Sequence, residues 1–173
     1  MKPILVACLG NEIMADDAFG YHVARAVQKE CRADELVDIE FAPIAGFHLL
    51  DMIIDRKAVL IVDNIMTGNF EPGYLHFFRM GYDTPTKTLV SSHQISLPTA
   101  LRFGKAMGFE MPEQVDVLAV EAQDVYTLSE TMSPAAEKAV IKAALRVDDW
   151  IREKKRSLNL YGERIEKNAG FRR

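Results

Sequence analysis

The chain has 173 residues, 49% of them hydrophobic and 27% charged, with a formal net charge of −4. That is the balance of one globular domain long enough to bury a real core, and it gives no reason to expect nucleic acid or an anionic membrane as partner. No segment approaches the roughly 20 apolar residues needed to span a bilayer.

The short apolar stretch after Met1-Lys2-Pro3 lacks the length and small-residue cleavage site of a signal peptide. Two cysteines, Cys8 and Cys31, cannot build a disulfide framework or a zinc cluster of their own. The expectation is a cytoplasmic protein.

Ile4 to Leu9 is continuously apolar and bounded by Gly10, the pattern of a strand buried on both faces. Phe19, Val23, Ala26 and Val27 recur at helical spacing and predict a helix over 19–30. Asp16 and Asp17 stand just before it, where carboxylates suit the positive end of the helix dipole. A second strand is predicted over 37–41, a short helix over 47–54, and a buried strand over 58–62 that ends abruptly in Asp63-Asn64. After the turn residues Gly68-Asn69 and Pro72-Gly73, a strand is predicted over 73–78, then a loop over 81–87. Ser96-Leu97-Pro98 opens a helix running to about Met107, and 115–120 reads as another buried strand. Ser133-Pro134 is a helix start, with Ser as N-cap and Pro in the first turn. Val140, Ala144, Val147 and Ile151 carry that helix to about Lys155.

Strands alternating with helices predict an α/β three-layer sandwich, with a mainly parallel twisted sheet and helices on both faces. Residues 1–155 form the single domain in this reading, and 156–173 a polar, basic C-terminal tail.

In such folds ligands collect beyond the carboxyl ends of the strands, which directs attention to the residues that follow each strand. Asp17 lies after the first strand and Asp63 terminates the strand at 58–62. His93 stands in the polar segment Ser91-Ser92-His93-Gln94 ahead of a helix. Two carboxylates and an imidazole make a divalent-metal site for nickel or zinc, with positions left open for substrate or water. Plainer readings stand beside each: a helix cap for Asp17, a strand-end residue for Asp63, a solvated loop histidine for His93. His22, His48 and His76 have surface or helix-face readings, Cys8 reads as core, and Cys31 has no activating neighbour in sequence. No His-Glu-x-x-His, Gly-x-Ser-x-Gly or phosphate-loop motif is present.

The segment from Gly10-Asn11 through Asp16-Asp17 to Gly20 resembles the opening motif of the [NiFe]-hydrogenase maturation proteases, Gly-Asn-x-x-x-x-Asp-Asp/Glu-x-x-Gly. The order continues with a hydrophobic strand ending in Asp63, then Ser92-His93 leading into a helix, then Met132-Ser133-Pro134 at the last helix. The resemblance covers residues 4 to about 150. It implies that Asp17, Asp63 and His93 bind metal and serve catalysis. It also implies an endopeptidase that removes the C-terminal extension of a nickel-loaded hydrogenase large-subunit precursor. The nickel would arrive with that precursor, and no organic cofactor is expected. The chain departs from the family pattern at Ala42-Pro43-Ile44-Ala45-Gly46, at Glu121-Ala122-Gln123 and at Glu12. Three other readings stay open: a non-cleaving nickel- or precursor-binding chaperone, an aspartic pair of Asp17 and Asp63, and a nucleotide-binding α/β enzyme.

Overall fold

The computed structural model describes residues 1–29, 34–43, 47–81, 97–112 and 115–169, with residue 47 and residues 159–169 described by their backbone alone. Five strands, β1 (Ile4–Leu9), β2 (Val37–Ala42), β3 (Ala58–Ile65), β4 (Leu75–Met80) and β5 (Val115–Glu121), form one sheet in the order β2-β1-β3-β5-β4. All pairings are parallel except that of β4 with β5. The helices are α1 (Phe19–Gln28), α2 (Phe47–Ile53), α3 (Leu97–Ala106) and α4 (Pro134–Ala169).

Period-two alternation of side chains assigns each strand residue to a layer. Ile4, Val6, Cys8, Leu60, Val62, Leu118 and Val120 share one cluster with Phe19, Val23 and Val27 of α1 and Ala143, Val147 and Trp150 of α4. Leu5, Ala7, Val59, Ile61, Val117 and Ala119 share the other with Leu49 and Ile53 of α2 and Leu101 of α3. Both faces of the central strands are therefore covered, which is why these strands read as unbroken apolar runs. The three-layer α/β sandwich is as expected. No helix among the described residues is long and apolar enough to cross a membrane.

Three boundaries differ from expectation. β3 continues past Val62, because Asp63, Asn64 and Ile65 keep their pairing with Ala119, Val120 and Glu121. β4 starts at Leu75 rather than at residue 73. α4 runs on from Lys155 to Ala169. Its packed stripe goes one step further than Ile151, to Leu158, and the Arg, Lys, Glu and Leu residues around and beyond it are strong helix formers, so extending the existing helix costs little.

Two carbonyls on the outer margin of β2 are occupied. Ile4 donates to the carbonyl of Leu36, so the carbonyls of Val37 and Ile39 face away from β1. Lys2 Nζ donates to the first at 3.0 Å and Gln28 Nε2 to the second at 2.9 Å.

Asp116, 4% exposed, ties three elements together. Its carboxylate accepts from Trp150 Nε1 at 2.7 Å and Arg79 Nε at 2.9 Å, with Lys154 Nζ at 3.0 Å. Burial pushes this carboxyl up, but the hydrogen bonds from Trp150, Arg79 and Lys154 outweigh it and hold the group below its ordinary range. A depressed carboxylate contributes stability that is complete above its unfolded value and lost as pH falls through the folded one. Asp116→Asn is therefore expected to cost about 1–3 kcal/mol at neutral pH. Thermal midpoints followed from neutral pH into acid should fall less steeply in the variant. Parallel profiles for the two proteins would refute this.

Candidate functional site

The chain passes from β1 through α1 to β2, then returns across β1 to β3. The strand order thus reverses between β1 and β3, and in an open α/β sheet the crevice beyond the carboxyl ends of such a pair is where ligands sit. Asp17 and Asp63 both lie there.

After β1 the chain makes a tight loop and a 3₁₀ turn, Ala15–Ala18, before α1. Two glycines make that path possible. Gly10 has φ +133°, and a Cβ on it would stand 2.0 Å from the carbonyl oxygen of Asp17. A Cβ on Gly20 would stand 2.0 Å from the carbonyl oxygen of Leu9. The loop folds back on its own strand, backbone against backbone, and Asn11 N–H donates to the Asp17 carbonyl at 3.1 Å.

The adjacent aspartates face different ways. Asp16 is fully buried and accepts from the N–H groups of Gln123, Asp124 and Ser133 at 2.8, 3.2 and 2.7 Å, and from Ser133 Oγ at 3.0 Å. It fastens the β1 loop to the β5–α4 connection, and Ser133 also caps α4 by accepting from Ala136 N–H at 3.2 Å. Asp17, 4% exposed, takes Asn64 Nδ2 on its Oδ1 at 2.6 Å. The same amide lies 3.3 Å from Asp63 Oδ1, which also accepts from Asn64 N–H at 2.8 Å. Asn64 is thus a bridge between two buried carboxyls.

Asp63 is 7% exposed. Burial, partly offset by the Asn64 N–H and reinforced by the charge of Asp17, pushes its carboxyl up to about 7. Among the described residues no donor meets its second oxygen, Oδ2. Cys8, fully buried, has its thiol pushed well above the usual range, first by burial and then by the charge of Asp63. It is a core residue. Strand alternation places Asp63 between Ile61 and Ile65, on the face that α2 and α3 cover. His93 and Cys31 lie outside the described residues. Among the described residues no three His, Cys, Asp or Glu side chains gather as a metal set.

Sequence reasoning passed over Asn64, Asp16 and the pair Glu121–His76. Asn64 did carry a signal, standing beside an aspartate at the end of a buried strand. A separate concavity of about 350 Å³ lies between β2 and α2, where Arg56 is already paired with Asp38 and Glu40.

Residues 21–150 match the family model described as hydrogenase maturation protease. The chain belongs to the hydrogenase maturation protease family. It is similar to the hydrogenase 2 maturation protease of Escherichia coli (strain K12), with 27% identity over 83% of this chain and 90% of that protein. The hydrogenase maturating endopeptidase HybD from E. coli superposes with a TM-score of 0.75 at 24% identity, over 89% of this chain and 94% of that one. The [NiFe] hydrogenase maturation protease HybD from Thermococcus kodakarensis gives 0.70 at 19%, over 87% and 99%.

Proposed function

We propose that the chain is an endopeptidase that removes the C-terminal extension of a nickel-loaded hydrogenase large-subunit precursor, with Asp17, Asp63 and His93 reading the nickel the precursor carries. The observation that supports this most is the pair of buried carboxyls joined by Asn64 at the strand-order reversal, with Asp63 Oδ2 meeting no donor among the described residues. Burying two like-charged groups side by side is costly without a cation to share. An incoming divalent ion would displace the proton from Asp63 and bring both carboxylates into play.

His93 precedes Leu97, the first residue of α3, by four positions, and Leu97 packs in the cluster that holds Ile61 and Ile65 on either side of Asp63. Grip by three side chains would admit only a loaded precursor, and the ion would polarise the scissile carbonyl. A proton-sharing aspartic pair is less well supported, because the Asn64 amide stands between the two carboxyls and gives each a donor.

The test is intact mass of nickel-loaded and nickel-free precursors after incubation with the protein. Loss of a C-terminal peptide from the loaded form alone is the expected outcome. Cleavage of both forms would remove the metal gate. Nickel-dependent co-elution without a change in mass would favour a non-cleaving chaperone.

A further inference from the structure

Glu121 ends β5 opposite Ile65, two residues beyond Asp63, and is 2% exposed. Its Oε1 accepts from the N–H groups of Thr67 and Gly68, both at 2.8 Å. Its Oε2 accepts from Thr67 Oγ1 at 2.8 Å and faces His76 Nε2 at 2.9 Å. A carboxylate only accepts, so Nε2 carries the imidazole proton. Burial pushes this carboxyl up, but these hydrogen bonds outweigh it and hold the group below its ordinary range. The backbone of Glu121 adds two more ties, its N–H to the Tyr74 carbonyl and its carbonyl to the Gly73 N–H, both at 2.8 Å.

One residue thus fixes both ends of the turn between β3 and β4. That turn carries two aromatic rings, Phe70 at 47% exposure and Tyr74 at 50%, stacked with centroids 4.5 Å apart. The ring of His76 meets both edge-on, at 4.7 and 4.9 Å. The link runs from a buried carboxylate through an imidazole to an exposed ring pair. A surface turn can be held by its own backbone; sinking a fully hydrogen-bonded carboxylate beneath it adds orientation. Rings already held in place lose little freedom when a partner covers them, and aromatic side chains dominate interface hot spots.

We propose that Phe70 and Tyr74 are specificity-determining residues that contact an apolar side chain of the precursor beside the cleavage point, and that Glu121, acting through Thr67, Gly68 and His76, is their positioning residue. The inference rests on the precursor-processing reading. The turn leaves β3 two residues beyond Asp63, and strand alternation places Glu121, after Val117 and Ala119, on the same face of the sheet as Asp63.

The test compares wild type, the double variant Phe70→Ala/Tyr74→Ala, and Glu121→Gln. Processing kinetics and precursor Kd are measured in parallel on nickel-loaded precursor, with thermal midpoints confirming that each protein is folded. The ring variant removes surface groups and should keep its fold. It is expected to raise KM and Kd about 10-fold or more, with kcat within about 2-fold. Glu121→Gln should shift KM in the same direction by a smaller factor, with kcat again preserved. A purely structural carboxylate would lower the thermal midpoint without this split. Unchanged Kd in the ring variant would overturn the inference, as would a fall in kcat at constant KM in Glu121→Gln. If wild type binds precursor without cutting it, the peptidase reading fails and the Kd comparison still decides this one. If wild type neither binds nor cuts, both fall.

Discussion

Replacing Asp63 by Asn is expected to abolish precursor processing and at the same time to make the metal-free protein more stable. Losing a residue that merely orients a metal ligand costs about 10–100-fold in affinity or activity, so on the proposed reading, in which Asp63 is itself a ligand, its loss should cost more than about 100-fold. The stability gain comes from the same burial. Asp63 stands against Asp17 and is pushed from an ordinary 3.8 to about 7. A carboxyl raised in the folded state contributes fully below its unfolded value and loses that contribution as pH rises through the folded one. Every pH unit separating those two values is worth about 1.4 kcal/mol, so Asn, which never ionises, should gain on the order of 2–4 kcal/mol above neutral pH. Its Oδ1 can still accept from the Asn64 N–H. Thermal unfolding in chelator from pH about 4 to about 8 should show the midpoints of variant and wild type diverging, then levelling. Equal midpoints at the alkaline end would contradict the burial argument, and wild-type processing would contradict the assignment of Asp63.

The neighbouring aspartate should behave in the opposite way. Asp16→Ala is expected to cost about 3–5 kcal/mol in urea unfolding, because it removes a fully buried carboxylate that accepts from three backbone N–H groups and one hydroxyl. Asp16→Asn keeps one acceptor oxygen and should lose less. A change under about 1 kcal/mol for the alanine variant would mean that water replaces the lost oxygens. The pair Asp16-Asp17 therefore divides its labour, one residue closing the fold and the next facing the crevice.

Little in the local sequence separates those two. Both precede a helix and both suit its dipole; Asp17 was offered from its place after the first strand, and the resemblance to a family then fell on the same position. The structure separates the two by their partners: Asp16 is engaged by Gln123, Asp124 and Ser133, over 100 positions away. Asp63 was legible on general grounds, as a carboxylate at the carboxyl end of a buried parallel strand. The layered fold was legible too, because the two buried faces write themselves as apolar runs. Asn64 was not, because its meaning depends on Asp17, 47 positions earlier. Glu121 and His76 are 45 positions apart and leave no periodic trace. Helix α4 outran expectation because Leu158, an isolated apolar residue in a charged stretch, still packs against the core, and strong helix formers carry the helix on.

The outer margin of β2 also bears on how a tail can be handled. With Lys2 and Gln28 already holding the carbonyls of Val37 and Ile39, an incoming polypeptide gains little by lying down there as a sixth strand. An exposed sheet edge is a ready template for unwanted pairing with other chains. With two of its acceptors taken, this edge is a poorer template for foreign backbone, including any precursor tail that the proposed activity would bring.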